Sequence, residues 1–75
     1  MRTRTLLRVL RAAETPRVTQ MKLARQAGIG SFRYWQIENG MGAAPTEVER
    51  QAIARVLGVN VGAIAWPTQE EVVHG

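Results

Sequence analysis

The chain has 75 residues, a net charge of +4 and no cysteine. This length supports one small domain with a modest core, and the lack of thiols excludes disulfides and thiolate metal sites. No apolar run reaches the roughly 18 residues that span a membrane. Arg8 and Arg11 interrupt the apolar stretch near the N-terminus, so no signal peptide is expected.

The charge is divided unevenly along the chain. Residues 1–37 carry eight basic side chains against Glu14 alone, whereas residues 38–75 carry Arg50 and Arg55 against five acidic side chains. A basic half beside an acidic half indicates either a polyanionic partner for the first half or an ordinary solvated basic surface.

The first predicted helix runs from about Thr3 to Glu14 and ends before Pro16, because the residue preceding a proline is disfavoured in helical conformation. Helical spacing predicts an apolar stripe of Leu6, Val9, Leu10 and Ala13. The same spacing predicts a basic stripe of Arg4, Arg8 and Arg11, which is either a phosphate contact or a solvated helix face.

Two short helices with a tight connection follow. Thr19 is a good N-cap for the second helix, which ends at Ala27, and Gly28 can take the left-handed conformation of a C-cap. The third helix is predicted over Ser31–Glu38, and Asn39-Gly40 closes it.

A fourth and a fifth helix complete the predicted domain. Thr46 and Glu49 form a capping box that opens the fourth helix, and Gly58 ends it. Its predicted buried face consists of Val48, Ala52, Val56 and Leu57, with Ile53 beside them. Asn60 is predicted to cap a short fifth helix, Val61–Trp66, which ends at Pro67.

The pattern thus predicts an all-α domain over residues 1–67, a compact bundle of five short helices with no strand. Residues 68–75 lack periodicity and are predicted to form a flexible tail, in which His74 has no functional partner.

The second and third helices are joined so closely that they must cross steeply, with the small Ala24 at the crossing. Leu23, Ile29, Tyr34 and Ile37 then fall on the inner side. The outer side of the third helix presents Ser31, Phe32, Trp35, Gln36 and Asn39. This arrangement is typical of a helix-turn-helix, whose second helix enters the major groove of DNA.

The residues that carry this pattern also resemble a known family, the Cro/repressor-type (XRE) helix-turn-helix proteins. The matching positions are Thr19-Gln20, Leu23-Ala24, Gly28-Ile29 and Ile37-Glu38-Asn39-Gly40, without a gap, and then Ala54–Val59. The resemblance implies a five-helix fold like that of lambda repressor and a homodimer on double-stranded DNA.

The same resemblance implies roles for individual residues. Ser31, Phe32 and Gln36 fall at base-reading positions, and the amide of Gln36 suits adenine. By the same resemblance, Gln20 and Asn39 would hold phosphates, and Glu38 would form a structural ion pair with Arg11. Three features depart from the family pattern: the longer link containing Pro16, Gly30 in place of a Ser or Thr cap, and the two exposed aromatic residues, Phe32 and Trp35.

Three further cations, Lys22, Arg25 and Arg33, flank the turn and are candidates for phosphate contact. The aromatic side chains leave alternatives open. Phe32 suits either a thymine methyl group or packing into the core or against a protein partner, and Trp35 suits a protein or core contact better than a DNA groove. Trp66 either closes the core or meets a second copy of the chain.

The sequence contains no constellation for catalysis, metal binding or a cofactor. The leading hypothesis is a sequence-specific DNA-binding regulator of the repressor or Cro type, acting in a bacterial cytoplasm or a phage-infected host. The alternative is a helix-turn-helix protein-interaction module, such as an antitoxin or a polymerase-binding factor, anchored by Phe32 and Trp35.

Overall fold

A computed structural model describes residues 4–14 and 16–67. The described chain is mostly helical, with four α-helices: α1 (Leu7–Ala13), α2 (Gln20–Ala27), α3 (Ser31–Asn39) and α4 (Glu47–Leu57). A short 3-10 turn, Val61–Ala63, and two short strands, β1 (Thr5–Leu6) and β2 (Ile64–Ala65), complete the described elements. The predicted tail, with His74, lies outside the described residues.

The two ends of the domain meet in a strand pair that the sequence analysis did not predict. β1 and β2 run parallel, with Thr5 opposite Ile64 and Leu6 opposite Ala65. Extended backbone therefore replaces predicted helix at both ends of the domain. α1 begins only at Leu7, and the predicted fifth helix is reduced to the 3-10 turn. The prediction of five helices and no strand was wrong at these two places, because tertiary pairing overrides local helix propensity.

The helix boundaries in the middle of the chain follow from local capping. The Thr46 hydroxyl accepts from the Glu49 backbone N–H and the Glu49 carboxylate accepts from the Thr46 backbone N–H, which confirms the capping box of α4. At the start of α2, the Thr19 hydroxyl accepts from the Lys22 backbone N–H. Gly28, which ends α2, has a φ of 74°, a conformation that L side chains rarely adopt.

The core lies where α2 packs against both α3 and α4. Its buried apolar side chains are Leu7, Leu23, Ala24, Tyr34, Ile37, Ile53, Ala54, Leu57 and Ile64. Four predicted core positions were wrong: Val48 is 78% exposed, and Leu6, Val9 and Ala13 of the first stripe are exposed too. The buried faces of α1 and α4 instead centre on Leu7 and Ile53. Within the described residues, no helix is long and apolar enough to cross a membrane.

Trp66 follows the second strand and packs against this core, with its indole N–H donating to the Val61 carbonyl at 3.2 Å. Core closure, one of its two predicted roles, is therefore present within a single chain. Ile64, two residues earlier, is fully buried.

Candidate nucleic-acid interface

A buried carboxylate fixes the position of α3 against α1 and α2. Glu38 Oε2 accepts from Arg11 Nε at 2.9 Å and from the Tyr34 hydroxyl at 2.9 Å. Glu38 Oε1 accepts from Arg11 Nη2 at 3.2 Å and from the side-chain amide of Gln20. The ion pair between Arg11 and Glu38 that the resemblance implied is thus present, and three helices meet at one carboxylate.

The pKa of the Glu38 carboxyl group is determined by its burial and by its hydrogen-bond partners. Burial alone would raise the pKa of Glu38, but the hydrogen bonds from Arg11, Gln20 and Tyr34 outweigh it and hold the pKa below its ordinary value. Burial also raises the pKa of Tyr34, with the neighbouring carboxylate acting in the same direction. Glu38 is therefore ionised at neutral pH, and its charge is balanced by Arg11 inside the domain.

Gln20 was predicted to hold a phosphate, but its amide nitrogen is engaged with Glu38. It joins the buried network because α2 starts directly beside α3. Tyr34 belongs to the same network, a role that the sequence analysis missed. Its spacing of four residues from Glu38 places the two on one face of α3, so helical periodicity was a usable signal.

Arg33 is also committed inside the domain rather than free for phosphate. Its Nε and Nη2 donate to the two carboxylate oxygens of Glu49 at 2.9 and 2.8 Å. Nη1 and Nη2 donate further to the carbonyls of Ala43 and Ala44. The Arg33 side chain thus holds the loop after α3 against α4, and a phosphate contact by Arg33, which stays a prediction, would compete with these bonds.

The base-reading candidate Gln36 lies against the same loop. A Cβ added at Gly42 would stand 2.7 Å from Gln36 Nε2, so the side-chain amide covers this glycine. Asn39, a predicted phosphate ligand, is exposed, and its amide nitrogen donates to the Trp35 carbonyl of the same helix at 2.9 Å. The Asn39 amide is thus bonded within its own helix, whereas the Gln36 amide lies against the loop.

At the other end of α3, the first turn is open. Ser31 is exposed, and Phe32 is 69% exposed. The rings of Phe32 and Trp35 stack with centroids 5.9 Å apart and an interplanar angle of 16°. Trp35 is 38% exposed, so the two rings form an apolar surface rather than part of the core.

The cations of α2 lie beside this open turn. Arg25 and Ser31 line one surface depression together with Met21, Ala24 and Ile29. A neighbouring depression is lined by Thr19, Met21, Lys22 and Arg25. The exposed side of α2 and the beginning of α3 therefore form one surface, which we call the α2–α3 face: Met21, Lys22, Arg25, Ser31, Phe32 and Trp35.

The α2–α3 face is positively charged without compensation. Of the cations in the described residues, Arg11, Arg33 and Arg50 form ion pairs. Lys22 and Arg25 form none within the described part of the chain, as is also true of Arg4, Arg8, Arg17 and Arg55. α2 contains no acidic residue, and the only acid of α3 is the buried Glu38. An anionic ligand would thus meet no acidic side chain of either helix on this face.

Comparison with protein-family models, with curated proteins and with solved structures gives no match to this chain. The assignment of a function therefore depends on the geometry and charge of the α2–α3 face.

Proposed function

We propose that this protein binds double-stranded DNA with sequence preference, using α2 and α3 as a helix-turn-helix. In this arrangement α3 lies in the major groove and α2 crosses the sugar-phosphate backbone. The observation that carries the proposal is the unpaired positive charge of Lys22 and Arg25 on α2, where Arg25 shares a surface depression with Ser31 in the exposed first turn of α3.

In this proposal the two helices make different contacts with the duplex. Lys22 and Arg25 provide phosphate contacts, which supply affinity without sequence information. Ser31 and Phe32, at the exposed start of α3, provide contacts to base edges. Gln36, whose amide lies close to Gly42, provides the contact to adenine.

The buried network at Glu38 supports DNA binding because it positions α2 and α3. Arg11, Gln20 and Tyr34 lie on three different helices and donate to one carboxylate, which fixes α2 and α3 relative to each other. A rigid pair of helices loses little conformational freedom when it docks on a duplex. The resemblance to repressor proteins adds the expectation of a homodimer on a pseudo-palindromic site, with half-sites about one helical turn apart.

The test is selection of binding sites from a random duplex library by the full chain, followed by titration of the selected duplex. We expect one enriched motif and an affinity that falls with salt, with a slope of about −0.9 for each phosphate contact. A scrambled duplex of the same length is the control. Equal affinity for the selected and scrambled duplexes at low salt would contradict the proposal.

The exposed stack of Phe32 and Trp35 favours a second candidate, a protein-interaction module. Large aromatic side chains are frequent anchors of protein interfaces. The double variant Phe32→Ala/Trp35→Ala discriminates between the two functions. If it keeps both the affinity and the motif of the parent protein for duplex DNA, the stack belongs to a protein interface.

A further inference from the structure

We propose that the Phe32–Trp35 stack reads the 5-methyl group of a pyrimidine in the major groove, so that the protein's site contains a thymine at a fixed position. This inference rests on the proposed DNA-binding function and names the group that the exposed aromatic surface contacts. It assigns Phe32 as the contacting residue and Trp35 as the residue that positions it.

Position and exposure single out Phe32. It lies in the first turn of α3, next to Ser31, which shares a depression with Arg25 of α2. A phosphate held by Arg25 would therefore bring the first turn of α3 to the adjacent groove. With 69% of its surface exposed, the Phe32 side chain is available for a ligand and contributes little to the core.

Chemistry limits what Phe32 can recognise. Its ring has no hydrogen-bond donor or acceptor, so the donor and acceptor pattern of the base edges gives it nothing to read. The apolar group that a base pair presents in the major groove is the C5-methyl of thymine. Cytosine presents the same methyl group only when it carries a 5-methyl substituent, so the two sources share one chemistry.

The stack explains how an exposed phenylalanine becomes selective. The Phe32 ring lies nearly parallel to the Trp35 ring, with centroids 5.9 Å apart and an angle of 16°, and 69% of Phe32 stays exposed. The contact restricts the rotamers of Phe32 before DNA is bound, so less side-chain freedom is lost on binding. A ring held flat in this way is a surface of fixed position against which one methyl group can pack.

The experiment uses the duplex selected by the full chain. Each thymine is replaced singly by uracil, which removes one methyl group and leaves the hydrogen-bonding edge unchanged. We expect about a fourfold loss of affinity, the effect of one buried methyl group, at one thymine of each half-site and no change at the others. Replacing that thymine with cytosine and then with 5-methylcytosine tests whether the methyl group alone restores part of the affinity.

Variants assign the effect to the stack. In Phe32→Ala, the thymine and uracil duplexes should bind equally, whereas Phe32→Leu, which keeps an apolar side chain, should retain part of the preference. Trp35→Ala should reduce the preference without abolishing it. Val48→Ala removes a side chain that is 78% exposed on another helix and should leave the thymine-to-uracil ratio unchanged.

The outcomes separate this inference from the function on which it rests. Sequence-selective binding with no uracil-sensitive thymine, or the same sensitivity in Phe32→Ala, overturns the methyl contact and leaves DNA binding intact. Failure of the full chain to select any duplex overturns both.

Discussion

Arg11 and Glu38 are joined by two parallel hydrogen bonds, Nε to Oε2 at 2.9 Å and Nη2 to Oε1 at 3.2 Å, across the contact between α1 and α3. The side chain of Glu38 is only 4% exposed and that of Arg11 17%. A charge at this depth depends on its partner, so the pair determines how much either residue can be changed.

Arg11→Ala should therefore destabilise the domain strongly. It leaves the Glu38 carboxylate buried without its cation, a situation that costs about 3 kcal/mol in the free energy of unfolding. Thermal denaturation followed by circular dichroism measures the loss, which for a domain of this size corresponds to a fall of roughly 10–20 °C in melting temperature. The matched control is Glu47→Ala, which removes the exposed pair with Arg50 and should leave the melting temperature almost unchanged. Similar losses in the two variants would contradict the structural role of Glu38.

Stability should also fall in acid. The hydrogen bond from Arg33 lowers the pKa of Glu49 to about 2, against the opposing effect of burial. Because this value is below that of the unfolded chain, the carboxylate contributes stability above the ordinary glutamate pKa and loses it as the pH falls toward 2. The lowered pKa of Glu38 acts in the same direction.

Urea denaturation between pH 5 and pH 2 should show this decline, and Glu49→Gln should show a smaller one. The reason is that glutamine does not titrate, so residue 49 no longer contributes to the slope. An unchanged slope in Glu49→Gln would assign the acid sensitivity to other groups.

Gly42 and Gly58 offer a matched pair of substitutions. Both have positive φ, 71° and 70°, but an added Cβ meets Gln36 at Gly42 and nothing within 4 Å at Gly58. Alanine at either position should cost about 1 kcal/mol of stability for the left-handed backbone. The end of the Gln36 side chain can rotate away, so Gly42→Ala should cost no more than Gly58→Ala by denaturation.

The two variants should differ at Gln36 itself. The side-chain amide resonances of Gln36 should shift in Gly42→Ala and stay in place in Gly58→Ala. A much larger loss of stability in Gly42→Ala would mean that the Gln36 amide is held against the loop and is not free to reach a base.

The cations of α2 should contribute to duplex affinity without affecting sequence preference. Lys22→Ala and Arg25→Ala should each weaken binding to all duplexes about equally and reduce the salt slope by about 1. Arg55→Ala is the control, because Arg55 lies in the last turn of α4 as Arg25 lies in the last turn of α2. An equal loss in Arg55→Ala would indicate a general charge effect instead of a docking face.

Local signals in the sequence were sufficient for much of the helical framework. Gly28, Thr46 and Gly58 mark helix ends through conformations and hydrogen bonds that involve only neighbouring residues. The inward positions Leu23 and Ile37 followed equally from helical spacing. Helix ends and inward positions depend on residues only a few places away in the sequence. Periodicity and capping rules describe interactions over this distance.

The sequence-based prediction was wrong where contacts between distant parts of the chain determine the structure. One residue in an α-helix corresponds to a rotation of about 100°. In α1 the buried side is turned by one position from the predicted stripe, so that Leu7 is buried whereas Leu6 and Val9 are exposed. Strands of two residues are too short to show alternation. The commitment of Arg33 to Glu49 and to two loop carbonyls depends on the path of residues 41–45, which no local pattern specifies.

The pairing of β1 with β2 has a consequence for the order of folding. Thr5 opposite Ile64 closes a loop that contains nearly the whole domain, and the entropic cost of closure rises with loop length. Contacts between α2 and α3 join residues close in the chain and therefore form sooner. We expect the two ends to meet last in folding and to separate first in unfolding, so the α2–α3 face is assembled while the ends of the chain are still apart.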